Sequence, residues 1–232
     1  MADLVLVEER DGGYAVVTLN RPDKRNALSI ELRIELADAL AALTDAGCIV
    51  LTGAGSAFCA GMDVTQFGGD RAHRRRLVDT SERLFRSVAL SPVPLVAAIN
   101  GPAIAGGFAL ALLCDIRIAA STARMGFPEL GRHIPPSYAA ARAALPAALA
   151  RDLCLTGRLL DAAEALRVGV VSDVVEREAL LSRAAEVAAA VAAAPRAATR
   201  EVKRRLLLDA ERTWLPLLDE EGRALRSALL ES

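Results

Sequence analysis

The residues best suited to chemistry in this sequence are two glycine-containing stretches and one glutamate. Residues 100–107 read NGPAIAGG and end in Gly106 and Gly107, directly before an apolar run. Residues 53–63 read GAGSAFCAGMD and are equally small and flexible. Because glycine has no side chain, a ligand can press against backbone N–H groups there, and such groups bind negative charge. The alternative is that these glycines only form tight turns.

Glu129 stands in the apolar stretch MGFPEL. Burial there would raise the pKa of its carboxyl by desolvation and suit it to proton transfer near neutral pH. Between Glu82 and Asp152 the only other carboxylate is Asp115. The alternative roles for Glu129 are a surface carboxylate and a helix cap.

Alternating strands and helices must position these groups. Short apolar or alternating runs predict strands at 4–8, 14–19, 48–52, 94–99 and 116–120, the first two joined as a hairpin. Apolar residues at helical spacing predict helices at 31–46 (with Ser29 as N-cap), 74–89 and 108–113. This order implies βαβ crossovers and an α/β fold. Both glycine-containing loops then follow the carboxyl ends of strands, where ligands bind in such sheets.

From residue 137 onward the pattern is helical almost to the end. The predicted helices cover 139–145, 147–155, 162–168, 177–194 and 197–230. We expect a second, helical region to begin near residue 190.

Composition excludes several classes of protein. The 232 residues are 53% hydrophobic and 25% charged, which is typical of a globular chain. A net charge of −1 gives no reason to expect nucleic acid or a membrane surface as partner. We expect neither a signal peptide nor a transmembrane span. Four scattered cysteines and only two histidines make a metal site improbable and indicate reduced thiols in a cytoplasmic protein.

Five blocks of the sequence, in order, resemble one known family. They are TLNRPDKRNALS, VLTGAGSAFCAGMD, SPVPLVAAINGPAIAGGFALALLCDIRIAA, MGFPELG and LTGRLLDAAEALRVGVVSDVV. The family is the enoyl-CoA hydratase/isomerase (crotonase) superfamily. The resemblance implies a crotonase-like ββα-spiral core, placed here at residues 1–190, and a C-terminal α-helical trimerisation region at 191–232. It also implies a homotrimer or hexamer, an acyl-CoA thioester as substrate and no prosthetic group.

The resemblance also assigns roles in the site. The N–H groups of Met62 and Gly106 would hold the thioester oxygen as it becomes an enolate. Side chains at Gly106 or Gly107 would block the thioester. Family hydratases carry a first glutamate where this chain has Ala109, which leaves Glu129 as the single candidate base. One carboxylate suffices to move a double bond from C3 to C2, so the predicted activity is isomerisation of 3-enoyl-CoA to 2-enoyl-CoA.

Other functions stay open beside this one. A hydratase with altered acid and base residues and a non-catalytic acyl-CoA-binding relative are the alternatives. Hydrolase or decarboxylase chemistry would call on other polar groups, such as His133 and Tyr138. A serine protease of related fold is disfavoured, because no GxSxG motif occurs. The stretch FPELGRHIP is interpreted as one residue shorter than the family pattern PExxLGxxP.

Coenzyme A binding is also inferred from the resemblance. The residues that would grip its adenine and phosphates are Arg25, Ala27, Leu28, Asp63 and Val64. The basic run RAHRRR, residues 71–76, is a further candidate for a phosphate. Lys203 is a candidate to reach the coenzyme of a neighbouring subunit.

Overall fold

The computed structural model describes residues 3–230, which form nine β-strands and nine α-helices. The strands are β1 (Val5–Arg10), β2 (Tyr14–Leu19), β3 (Cys48–Gly53), β4 (Leu95–Ile99), β5 (Ala103–Ile104), β6 (Ile116–Ala120), β7 (Arg124–Gly126), β8 (Leu159–Asp161) and β9 (Asp173–Val175). The helices are α1 (Ile30–Ala42), α2 (Arg71–Ala89), α3 (Gly106–Leu112), α4 (Tyr138–Ala144), α5 (Ala147–Thr156), α6 (Ala162–Arg167), α7 (Leu180–Ala193), α8 (Arg196–Thr213) and α9 (Leu215–Leu230). A short 3-10 helix covers Pro128–Arg132.

Six strands form the main sheet, in the order β1-β2-β3-β4-β6-β9. The hairpin β1–β2 is antiparallel, and all further neighbours in this sheet are parallel. The central strands β3 and β4 are buried along their whole length. Apart from Thr52 in β3, their side chains are apolar, because helices or loops cover both faces of the sheet. A second sheet, in the order β5-β7-β8, follows the ends of the central strands.

Helix α7 covers one face of the main sheet. Its buried residues Leu180, Ala184 and Ala188 recur every four positions and therefore lie on one side of the helix. They pack against strand residues such as Val50 and Val96. Alanine at these positions allows a close approach of helix to sheet, which suits a chain so poor in aromatic residues. The larger part of the core lies on the opposite face.

The structure confirms the predicted hairpin, the strands and the helices up to residue 137 to within a few residues. The prediction that residues beyond 137 are almost wholly helical is wrong in two places, because β8 and β9 interrupt them. Each of these strands has three residues, too few to show a period of two. The single helix predicted at 197–230 is two helices that meet at Trp214. Pro216 lacks a backbone N–H and is accepted only in the first turn of α9.

The C-terminal helices fold back on the body of the same chain. Helix α9 contacts α2 and α4, and Glu221 of α9 accepts a hydrogen bond of 2.7 Å from Ser137. The division after residue 190 stays a prediction, and residue 190 lies within α7. Residues 1, 2, 231 and 232, which belong to the predicted regions, lie outside the described residues.

Candidate active site

The two glycine-containing loops meet at the carboxyl end of the main sheet. One follows β3 and the other follows β4, its parallel neighbour. The N–H of Ile104 donates to the carbonyl oxygen of Cys59 over 2.9 Å, which ties the loops together. A Cβ atom added to Gly61 would lie 3.4 Å from the nitrogen of Gly106. Gly61 has a φ of +90°, a conformation that favours glycine.

Two buried asparagines hold these loops in place. The Asn100 amide donates to the carbonyl oxygens of Gly53 over 2.7 Å and Gly55 over 3.1 Å, and its own oxygen accepts from the N–H of Gly53 over 3.2 Å. The Asn26 amide donates to the carbonyl oxygen of Ala57 over 2.8 Å. These bonds satisfy carbonyl groups that the loop itself leaves without partners. They fix the chain before Met62 relative to the chain before Gly106.

The backbone N–H groups of Met62 and Gly106 donate to no acceptor in the part of the chain that the structure describes. The two residues on either side of Met62 form backbone hydrogen bonds with Leu28. The N–H of Leu28 donates to the carbonyl oxygen of Gly61, and the carbonyl oxygen of Leu28 accepts from the N–H of Asp63. Gly106 opens α3, so its N–H has no partner within the helix. Two backbone N–H groups without acceptors therefore lie on neighbouring loops.

The backbone conformation around Gly106 is constrained at both neighbouring residues, Ala105 and Gly107. Ala105 has a φ of +55° and a ψ of −124°, a strained conformation for a residue with a side chain. A Cβ atom at Gly107 would lie 2.2 Å from the carbonyl oxygen of Cys59. Gly107 is therefore required by the packing of one loop on the other, and the expectation that a side chain there would also block a thioester stays a prediction. A Cβ atom at Gly106 would lie 3.5 Å from the ring of Phe85.

A buried arginine stands behind the Met62 loop. Arg33 has no exposed surface and donates to the carbonyl oxygen of Leu28 through Nε over 2.9 Å and Nη2 over 2.6 Å. It also donates to the carbonyl oxygen of Leu77 over 2.9 Å. Burial lowers the pKa of Arg33 to about 10. The sequence does not predict that Arg33 is buried, because an arginine next to the apolar positions of a helix is normally exposed.

Glu129 lies in the 3-10 helix that follows β7, directly after Pro128. Its Oε2 atom is buried and has no hydrogen-bond partner within the described residues. Burial raises the pKa of the Glu129 carboxyl to about 7. The preceding Phe127 packs on Phe108 of α3, with ring centres 5.0 Å apart. An unpartnered carboxylate with a pKa near neutrality can accept and return a proton.

The spacing after Glu129 corrects one interpretation of the sequence. His133 adopts a left-handed conformation, with φ of +61°, at the end of the 3-10 helix. This is the fourth residue after Glu129, where the pattern PExxLGxxP has its glycine, and Pro136 stands where the pattern has its second proline. The stretch is thus of full length, and Arg132 and His133 replace leucine and glycine. His133 is exposed, and Tyr138 is half-buried against the core.

A cavity of about 240 Å³ lies beside the Met62 loop. Its lining contains four of the five residues predicted to bind the coenzyme, and Met62 as well: Asp23, Lys24, Arg25, Ala27, Ala60, Met62, Asp63, Val64 and Arg132. Leu28 does not line it, because its side chain is wholly buried. Arg132 was missed, since it stands far from residues 23–27 in sequence.

Asp63 is held by an ion pair at the wall of this cavity. Arg21 donates to its carboxylate over 2.6 Å and to the carbonyl oxygen of Ala27 over 3.0 Å. Burial raises the pKa of Asp63, but hydrogen bonds from Thr65 and Arg21 outweigh it and lower the pKa overall. The loop at 23–27 and the loop at 61–64 are thereby joined.

Three further residues, Ala109, Glu221 and Lys203, bear on the site. Ala109 is buried in α3 and offers no carboxylate. Glu221 accepts a hydrogen bond of 2.8 Å from the N–H of Ala139 and so caps α4, and burial raises its pKa. Lys203 is buried and lies 2.7 Å from Asp115, so it is not free to reach a neighbouring subunit.

Three features are absent among residues 3–230. None of residues 71–76 lines the cavity beside Met62. No group of three or more histidine, cysteine, aspartate or glutamate side chains there could hold a metal ion. Within the same range, no helix has the length and hydropathy needed to cross a membrane.

Comparisons with known proteins identify the family. A model described as enoyl-CoA hydratase/isomerase matches residues 9–229. A short-chain-enoyl-CoA hydratase of Clostridium acetobutylicum is 35% identical over 191 residues, which cover 79% of this chain and 73% of that protein. A crotonyl-CoA hydratase of Syntrophomonas wolfei is 34% identical over 192 residues, which cover 79% of this chain and 74% of that protein.

The fold agrees with that of solved relatives. The structure of an enoyl-CoA hydratase/isomerase from Mycobacterium paratuberculosis superposes with a TM-score of 0.89 at 28% identity, covering 99% of this chain and 95% of that one. The α/β core and the helical C-terminal region are those of the crotonase fold. The chain belongs to the enoyl-CoA hydratase/isomerase family.

Proposed function

We propose that this chain converts 3-enoyl-CoA to 2-enoyl-CoA, with Glu129 as the one acid and base. The observation that carries the proposal is the buried, unpartnered Oε2 of Glu129, combined with an alanine at position 109. Isomerisation needs one group that takes a proton from C2 and returns it to C4. Because the same proton can leave and return, no second carboxylate is required.

The N–H groups of Met62 and Gly106 are proposed to hold the thioester oxygen. Removal of the C2 proton delocalises negative charge onto that oxygen. Two donors that are fixed before the reaction stabilise this charge without reorganising. Loss of one such donor typically costs about 3–4 kcal/mol of transition-state stabilisation. Their lack of other partners and the bracing by Asn100 support this role.

The raised pKa of Glu129 supports its role as the base. A base with a pKa of about 7 is ionised in a large fraction of molecules at neutral pH and still returns its proton readily. An ordinary carboxylate would be a weaker base by more than two pKa units. The substrate's coenzyme is proposed to lie along Arg25, Ala27, Asp63 and Val64, with Leu28 acting through its backbone.

Hydration of 2-enoyl-CoA is the second candidate, because the two relatives described above are named hydratases. Hydration requires activation of water and delivery of a proton to C2, which two carboxylates usually share. Ala109 cannot contribute to either step. A family member that only binds acyl-CoA is the third candidate. The buried thiols fit a cytoplasmic location, which we propose as well.

The test is a product assay with purified protein. Incubation with a 3-enoyl-CoA and, separately, with crotonyl-CoA, followed by chromatography of the thioesters, measures isomerisation and hydration side by side. We expect isomerisation to exceed hydration. Ala109→Glu should raise hydration, and Ala109→Gln, of the same size, should not. Hydration by the wild type at the rate of a two-glutamate hydratase would refute the single-base mechanism.

A further inference from the structure

Three cationic side chains line the cavity beside Met62, against two carboxylates, those of Asp23 and Asp63. Lys24, Arg25 and Arg132 all line it. None of the three forms an ion pair with any carboxylate in the described part of the chain. The nearby carboxylate of Asp63 is already paired with Arg21. Like charges around a concave surface repel one another and attract an anionic ligand.

Arg132 differs from the other two cations because it shares a helical turn with Glu129. Both belong to the 3-10 helix Pro128–Arg132. The N–H of His133 donates to the carbonyl oxygen of Leu130 over 3.1 Å, and that of Ile134 donates to Glu129 over 3.3 Å. These bonds make the turn a single unit. A force on Arg132 is therefore transmitted to the backbone of Glu129.

Arg132 lines the cavity beside Met62, and it forms no ion pair with Glu129 in the described part of the chain. Oε2 of Glu129 has no hydrogen-bond partner among the described atoms. The anion for Arg132 is expected on the coenzyme, because four of the five residues predicted to bind the coenzyme line the same cavity.

We propose that Arg132, with Lys24 and Arg25, binds a phosphate of the coenzyme A nucleotide and thereby positions the turn that carries Glu129. This inference rests on the proposed function, in which Glu129 acts on an acyl-CoA. Guanidinium groups suit this task because they can donate two parallel hydrogen bonds to a phosphate. Binding energy from a part of the substrate that does not react is then used to place the base.

The first test measures binding without turnover. Titration calorimetry compares the affinity of wild type and Arg132→Gln for coenzyme A, dephospho-coenzyme A and pantetheine. We expect Arg132→Gln to bind coenzyme A about 10-fold to 100-fold more weakly, as is typical of losing a charge-assisted hydrogen bond. Affinity for pantetheine, which has no phosphate, should not change. A smaller loss with dephospho-coenzyme A assigns Arg132 to the 3′-phosphate, and an equal loss assigns it to the diphosphate.

The second test measures the effect on the base. With a 3-enoyl-CoA, Arg132→Gln should lower kcat as well as raise KM. Wild type and variant should turn over the matching pantetheine thioester at equal rates, because this substrate has no phosphate for Arg132 to contact. Arg200→Gln is the matched control, since Arg200 is exposed on α8 and outside the cavity. It should behave as wild type with every ligand.

Three outcomes overturn the proposal. Equal affinity of wild type and Arg132→Gln for coenzyme A would show that Arg132 does not contact a phosphate. An equal loss of turnover with the pantetheine thioester means that the substitution damages the turn itself. A defect seen only with acyl chains that bear a carboxylate would place the anion on the acyl group instead. Since free coenzyme A is not turned over, the binding result stands even if the isomerase assignment fails.

Discussion

A Cβ atom added to Gly107 would lie only 2.2 Å from the carbonyl oxygen of Cys59, which is too close for any side chain. Gly107 therefore serves the fold, whereas Gly106 faces side chains at ordinary contact distances of 3.5 to 3.8 Å. Gly107→Ala should lower the free energy of unfolding by about 2 kcal/mol or more, because rigid backbone must shift. Urea unfolding measures this loss.

Gly106→Ala is the matched control for Gly107→Ala. It should fold with nearly wild-type stability and lose activity, because the methyl group stands beside Phe85 and Met62 at the proposed thioester site. Equal stability of Gly107→Ala and wild type would contradict the packing role of Gly107.

Asn100→Asp should destabilise the protein by about 3 kcal/mol. The change keeps the size of the side chain but turns a donor toward the carbonyl oxygens of Gly53 and Gly55 into an acceptor. A buried carboxylate facing carbonyl groups is strongly unfavourable. Asn20→Asp is the control, because the Asn20 amide donates in an exposed position. If thermal unfolding shows equal losses for both variants, the bracing role of Asn100 is wrong.

Part of this site could be predicted from the sequence. The short apolar run at 116–120 predicted the strand at those residues. The parallel neighbours β3 and β4 bring their following loops to one edge of the sheet because of their topology alone. The apolar stretch around Glu129 correctly predicted a raised pKa. These features depend on local pattern or on chain order.

The remaining features depend on contacts between distant residues. Arg33 contacts Leu77 only once α1 and α2 have packed, and Arg132 meets residues 23–27 only in the folded chain. The positive φ of Ala105, +55°, is not indicated by its residue type, because alanine rarely adopts this conformation. No periodicity or spacing in the sequence carries this information.

Ionisation of Glu129 should make the protein less stable as the pH rises. The pKa is about 7 in the folded state and about 4.5 when unfolded, so the folded chain binds more protons between these values. The stabilising effect is complete below about pH 4.5 and is lost as the pH rises through about 7. Glu129→Gln removes this dependence. Denaturant unfolding at pH 5 and pH 8 should show that stability of the wild type falls more than that of the variant. Parallel curves would contradict the raised pKa.

Self-association through the C-terminal helices stays a prediction. On α8, Val202 and Leu206 lie four residues apart on one face and are 56% and 50% exposed. An exposed apolar face of this kind is typical of an interface. We expect a trimer or hexamer by light scattering, and Val202→Asp with Leu206→Asp should shift the protein toward monomer. A monomeric wild type at micromolar concentration would contradict the expectation.

Isomerase activity of Glu129→Gln tests the account most directly. The substitution keeps the size of the side chain and removes its basicity, while other residues are proposed to contact the coenzyme. Conversion of a 3-enoyl-CoA to the 2-enoyl-CoA should fall by two to four orders of magnitude, roughly the contribution of a general base, with little change in affinity for the thioester. Glu178→Gln, an exposed glutamate outside the cavity, should keep full activity. Equal rates for wild type and Glu129→Gln would show that Glu129 is not the base.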